Sequence, residues 1–178
     1  MTRLIEESLR TTLGKALTLV AGSAALLAAG ISLRITARDN REGPILQDKE
    51  NTCGVAAMKM VLDAYGLHRT MADIESELQP SRHGVSMLAL KRFAQQNGLS
   101  AQGWRLSPEE LSAIPKPAIL FIQGSHFCVL DSLNGSLYFV RDPAYGATCM
   151  KEEILVKVWN GEALVFSNVV QKQDILRE

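Results

Sequence analysis

His126-Phe127-Cys128-Val129-Leu130-Asp131-Ser132-Leu133-Asn134-Gly135-Ser136-Leu137-Tyr138-Phe139-Val140-Arg141-Asp142 places two runs of strand-forming residues on either side of Asn134-Gly135. An Asn-Gly pair between two such runs is the strongest short signal for a β-hairpin. The expected strands are His126 to Leu133 and Ser136 to Arg141. With Asn134-Gly135 as a two-residue turn, residue i lies opposite roughly 269 minus i, so position 126 faces about position 143. Asp142 then sits beside His126, on strands only about 4.8 Å apart. A carboxylate there is expected to accept the imidazole Nδ1–H and fix its tautomer.

Outward from the hairpin, Ala118-Ile-Leu-Phe-Ile122 follows Pro117 as a short apolar run rich in strand formers. Val156 to Trp159 belongs to a further amphipathic element and Ala163 to Phe166 to another strand. Upstream the period changes to helical. Val55, Met58, Val61, Leu62 and Tyr65 recur at helical spacing after a start near Cys53, with Asn51 or Thr52 able to cap and Gly66 to terminate. Thr70 with Asp73 resembles a capping box that opens a helix through Leu78, stopped at Pro80. Ser86 caps a helix carrying Leu88, Leu90 and Phe93 that closes at Asn97-Gly98. Ser107-Pro108-Glu109-Glu110 starts a brief helix. Helices first and antiparallel strands second describe an α+β domain.

That division sorts the residues able to do chemistry. Cys53 stands at a helix start, where unpaired amides and the dipole stabilise a thiolate, and His126 and Asp142 lie in the sheet half. The three match nucleophile, general base and the group that orients the base. Gln47 precedes the cysteine by a short irregular stretch and can aim its amide N–H at a developing oxyanion, with the Cys53 N–H as second donor. Each has a plainer reading: a buried structural cysteine, a satisfied core histidine, a turn-opening aspartate and a loop glutamine. Their order along one chain favours the chemical reading. Gly54 is expected to keep the nucleophile open to a substrate backbone. His68 and His83 read as surface residues. His126 with Cys128 lacks a third ligand for a metal.

Composition narrows the field. With 178 residues, there is room for one domain and little more. Lys plus Arg and Asp plus Glu are 19 each, so no basic excess points to nucleic acid. Cys53, Cys128 and Cys149 make no Cys-x-x-Cys pair, which argues against a zinc or thioredoxin-type centre. In an oxidising compartment Cys128 and Cys149 are able to pair; in a reducing one all three are thiols.

Ala16 to Leu33 is uncharged and bounded by Lys15 and Arg34. As a helix it rises about 27 Å, close to the roughly 30 Å hydrocarbon core. It reads as a membrane anchor, with a cleaved signal peptide or an alanine-rich core helix as alternatives. Residues 1–33 are thus expected as anchor or signal, 34–44 as linker and 45–178 as the folded domain. An N-terminal span by default carries the domain out of the cytoplasm, although flanking charges barely vote.

At this point the chain resembles the C39 family of cysteine peptidases, the papain-like bacteriocin-processing peptidases. The matching pieces are Gln47-x5-Cys53-Gly54-x-Ala56, Tyr65-Gly66, Gly84-x-Ser86, Pro117, His126-Phe127-x-Val129 and Asp142-Pro143-x-x-Gly146, over about residues 44 to 167. The resemblance implies a papain-like fold with a helical half packed on an antiparallel sheet, and no metal or cofactor. It implies Gln47 for the oxyanion hole, Cys53 as nucleophile, His126 as base and Asp142 as its partner. It also implies an endopeptidase that cuts a peptide or leader segment after a Gly-Gly-like site, often alongside an export machine. With the hydrophobic segment, the expected place is a bacterial inner membrane with the domain in the periplasm; secretion after signal cleavage and a cytoplasm-facing domain are the alternatives. A peptide-binding or assembly module on the same fold, or a thiol acyltransferase or amidase, are the rival functions.

Overall fold

A computed structural model describes residues 43–168. The hydrophobic segment, nearly all of the expected linker and the last ten residues of the expected domain lie outside the described residues. Among the described residues no helix is long and apolar enough to cross a membrane.

Among the described residues three helices come first: α1 (Cys53–Ala64), α2 (Met71–Leu78) and α3 (Met87–Gln96). Their starts follow the capping chemistry. Thr70 and Asp73 form the expected capping box, and Ser86 accepts the Ala89 N–H. Six antiparallel strands follow: β1 (Leu99–Arg105), β2 (Ala118–Ile122), β3 (His126–Asn134), β4 (Leu137–Asp142), β5 (Gly146–Lys151) and β6 (Trp159–Asn168). They form one sheet in the order β1-β6-β2-β3-β4-β5. A 3₁₀ turn at Glu110–Ser112 and a short helix α4 (Glu152–Val158) complete the set. The α+β architecture matches the expectation.

The sheet is covered on both faces. Val55, Met58, Met60, Val61 and Leu62 of α1 are fully buried with Val129, Leu164 and Phe166. Leu120, Cys128, Leu130, Tyr138 and Leu155 pack on the other face. Burial of each large aliphatic side chain stabilises by about 1.5–3 kcal/mol. Two-sided burial explains why Ala118–Ile122 is apolar throughout instead of alternating. It also explains why α1 is buried beyond its predicted stripe, with Ala56, Ala57 and Met60 inside as well. The Tyr65 hydroxyl donates to the Phe166 carbonyl at 2.8 Å and pins the end of α1 to β6.

Several local expectations are corrected. The hairpin turn is Gly135-Ser136, because Asn134 pairs with Leu137. Gly135 takes φ +58 and Asn134 stays in the strand. Glycine at the first central position is what a type II′ turn requires, and Asn-Gly and Gly-Ser were both open to this sequence. The register also shifts between Leu130 and Ser132, where Asp131 is one extra residue on β3. Below the bulge Val129 pairs with Arg141, which carried onward sets Asp142 opposite Cys128. An unbulged 269 register would have set it opposite Phe127, on the face away from His126. Val156 is exposed, and Leu155 is the residue of α4 that enters the core. Trp159 begins β6, so the stretch expected as one amphipathic element is divided between α4 and β6. Edge strands β1 and β5 carry mostly exposed side chains and so left no apolar alternation to read. All three cysteines are free thiols.

Gly54 is a packing position, contrary to the expected opening for substrate. A Cβ built there would lie 2.4 Å from Val85 Cγ2 and 3.2 Å from Phe127 Cδ2. Gly54→Ala should therefore lower unfolding free energy in urea by about 1–3 kcal/mol, the usual cost of overpacking. In a Val85→Ala background that cost should shrink, since the clashing methyl is gone and only the 3.2 Å approach to Phe127 Cδ2 remains. Equal penalties in both backgrounds would contradict this packing.

Candidate active site

Cys53 is the first residue of α1, and it is buried with 7% of its surface exposed. Thr52 occupies the N-cap position yet makes no side-chain cap bond. Its Oγ1 instead accepts the Lys49 N–H at 3.2 Å and lies 2.9 Å from Asp48 Oδ1. The first-turn amides are thus left to a negative charge on or near the Cys53 sulfur. Burial alone would push the thiol up. A hydrogen bond with His126, backbone N–H contacts from Phe127 and Gly54 and the His126 charge outweigh it, so the net displacement is downward.

His126 begins β3, immediately after a tight turn in which Gln123 (φ +53) and Gly124 (φ +68) both take left-handed backbone. The turn ends the β2–β3 hairpin at the edge of a cleft and leaves the imidazole facing α1. Its Nε2 lies 2.8 Å from Asp142 Oδ1. The expected pairing through Nδ1 is therefore corrected: the carboxylate takes Nε2, leaving Nδ1 for the thiol. The imidazole side chain is 18% exposed and the carboxylate 8%. The hydrogen bond with Cys53 raises the His126 pKa, burial opposes, and the Asp142 bond and charge add to the rise. A raised imidazole beside a lowered thiol is the pattern of a thiolate–imidazolium pair.

Asp142 does two jobs with one oxygen. Its Oδ1 also accepts the Ala144 N–H at 2.7 Å, so the turn-opening reading and the pairing reading both hold. The adjacent Pro143 carbonyl accepts the Gln47 N–H at 2.9 Å and ties the chain ahead of Cys53 to this turn. The Gln47 side chain is not among the cleft-lining residues. Its Nε2 donates to the Lys49 carbonyl at 3.0 Å, while its buried Oε1 has no hydrogen-bond partner. Three of the four candidates thus converge, and Gln47 reaches the site through its backbone.

The cleft beside Cys53 and His126 has a volume of about 600 Å³. Val85, Phe121 and Phe127 supply its apolar wall, with the two rings 4.9 Å apart. Arg82 and His83 stand on one rim, Gln123 and Tyr145 on others. His83 is exposed as expected, but it borders the cleft, which its place in a loop did not reveal. The only sequence hint was the neighbouring Gly84-x-Ser86. Cys128 sits behind the site; burial first, then the negative charges of Asp142 and Cys53, push its thiol far up, so it stays protonated. Among the described residues no group of three His, Cys, Asp or Glu side chains is placed to hold a metal ion.

With this geometry in view, the likenesses to known proteins are informative. The sequence pattern of the Peptidase C39 family matches residues 41–171. The probable functional amyloid protease FapD of Pseudomonas aeruginosa is 31% identical over 150 residues, covering 77% of this chain and 65% of the relative. The colicin V secretion/processing ATP-binding protein CvaB of Escherichia coli is 27% identical, covering 71% of this chain and 18% of the relative. This chain therefore spans less than two thirds of either. Among solved structures, a double glycine motif protease from an AMS/PCAT transporter, in complex with the leader peptide, superposes with a TM-score of 0.69. It is 28% identical and covers 72% of this chain and 94% of its own. The peptidase domain of Streptococcus ComA, at 18% identity and a TM-score of 0.66, shares the fold. Family pattern, relatives and fold agree: the chain belongs to the Peptidase C39 family.

Proposed function

We propose that this protein is a cysteine endopeptidase that cuts a peptide or leader segment after a small-residue, Gly-Gly-like site. The observation that carries the reading is the unbroken chain from Cys53 through His126 to Asp142 at the wall of an open cleft. The Cys53 thiolate attacks the scissile carbonyl carbon, forming a C–S bond as the carbonyl electron pair moves onto oxygen. That oxyanion is held by the Cys53 N–H and by the Gln47 amide, which has to turn away from the Lys49 carbonyl to reach it. When the C–N bond breaks, His126 Nδ1 gives its proton to the leaving amine. Water, deprotonated at the same nitrogen, then hydrolyses the thioester. Asp142 holds the ring through Nε2 in both steps.

Substrate class is supported by two features. Val85, Phe121 and Phe127 narrow the apolar wall beside Cys53, which suits residues with little side chain at the cut. The solved relative carrying a leader peptide is described as a double glycine motif protease. We further propose residues 1–33 as an anchor or signal, 34–44 as linker and 45–178 as the peptidase domain. The motive is the uncharged Ala16–Leu33 stretch. Anchoring would keep the cleft near a membrane export machine, in keeping with relatives named for secretion and processing.

On a peptide containing a Gly-Gly site, Cys53→Ala should abolish turnover, read by mass spectrometry of the products. Retained cleavage in that variant would sink the proposal. Gln47→Ala should keep KM and lower kcat by about 10²–10³-fold, the range for loss of one oxyanion donor.

The pH profile has a definite sign. Thiolate exists above the Cys53 pKa, which is lowered, and imidazolium exists below the His126 pKa, which is raised. The active window is therefore wider than free cysteine and histidine would allow. Asp142→Asn keeps a carbonyl acceptor for Nε2 but removes the negative charge that helps raise His126, so the alkaline limb of kcat/KM should move to lower pH. An unmoved alkaline limb would show that Asp142 does not tune the base.

A further inference from the structure

One buried ion pair beside the site has no part in the chemistry above. Asp131 is the extra residue of the β3 bulge, and Arg141 directly precedes Asp142. Arg141 Nε donates to Asp131 Oδ2 at 2.7 Å and Nη2 to Oδ1 at 2.8 Å, a two-pronged fork. The side chains are 7% and 13% exposed. Exposed pairs contribute little, and buried pairs carry a large desolvation cost, so net stabilisation is a poor explanation for this one. The best attested use of such a pair is to fix register.

Register is what Asp142 needs. Leaving the turn, Asn134 pairs with Leu137 and Ser132 with Phe139. Continued without the extra residue, that pairing would set Asp142 opposite Val129 and turn it to the face of Phe127 and Val129. With the bulge, Leu130 pairs with Val140 and Val129 with Arg141. Asp142 then lies opposite Cys128, on the side of the ladder that His126 shares, and a diagonal step brings its carboxylate to Nε2. A slip of one residue reverses every side chain of a strand. The fork joins the bulged residue to the neighbour of Asp142, so it closes in the bulged register and opens in the slipped one.

We propose that Asp131 and Arg141 are the positioning pair of this active site, holding the β3–β4 register in which Asp142 meets His126. The inference rests on the catalytic reading of Cys53, His126 and Asp142. Neither member of the pair touches the cleft; both act through the strand.

The test uses the full chain with Arg141→Met, Arg141→Lys and the double variant Asp131→Leu with Arg141→Met. Three quantities are read: kcat and KM on a Gly-Gly peptide, the pH dependence of Cys53 alkylation by iodoacetamide followed on the Cys53 peptide by mass spectrometry, and Tm. Arg141→Met should lose about 100-fold in kcat, as expected for misplacing a reacting group by roughly 1 Å, with KM little changed. Its alkylation profile should move up toward an ordinary thiol, and Arg141→Lys should recover part of both. Arg141→Met alone leaves a buried carboxylate and is at risk of unfolding; the double variant removes both charges and is expected to fold. The double variant should show the same loss of kcat and the same shifted profile. Wild-type kcat and an unmoved profile in the double variant, whatever its Tm, overturn the positioning role. Cys53→Ala separates the two levels. An inactive Cys53→Ala beside a fully active double variant removes the positioning pair alone, whereas an active Cys53→Ala removes the catalytic reading and this inference with it.

Discussion

The Cys53 thiol and the His126 imidazole are built by different halves of the domain and meet across the seam between them. One belongs to the start of a helix buried nearly all round, the other to the first position of a strand leaving a tight turn. Everything around them serves that meeting. The α1 core residues press the helix on to the sheet, and the Tyr65 hydroxyl ties its far end to β6. Gly54 is reduced to a bare backbone so that Val85 and Phe127 close in beside the sulfur. The meeting has an electrostatic consequence: each partner favours the charged form of the other, so the thiol falls and the imidazole rises.

Asp142 completes the arrangement through a register that two local features set together. A type II′ turn at Gly135-Ser136 gives one offset, and the bulge at Asp131 alters it by one residue. Without the bulge the carboxylate would turn to the wrong face, opposite Val129. Strand pairing here thus places a member of the proposed site, and the order of the strands alone does not define it.

The elements most legible in the sequence were those marked by local chemistry. Thr70 with Asp73 and Ser86 announce helix starts because their side chains bond backbone amides within the same few residues. The apolar run at Ala118–Ile122 and the Cys53 helix start were equally local signals. The candidate site was legible as residue types in order, and three of its four members converge. What stayed hidden depends on distant partners. Edge strands β1 and β5 bury too little to alternate, and the bulge at Asp131 shows only in the pairing of β3 with β4. The choice of Nε2 for Asp142, the packing role of Gly54 and the rim position of His83 depend likewise on what the fold brings near. Gln47 remains the member whose side chain has to move, since its amide is engaged with Lys49.

The central claim, mutual stabilisation of a Cys53 thiolate and a His126 imidazolium, is tested most directly by following the His126 ring through a pH titration by NMR. The comparison is between the native chain and Cys53→Ala. The contact with Cys53 is the foremost cause of the raised His126 pKa, so removing the sulfur should lower that pKa, with the Asp142 bond retaining part of the elevation. An identical His126 titration with and without the Cys53 sulfur would contradict the account, because the two side chains would then not be coupled.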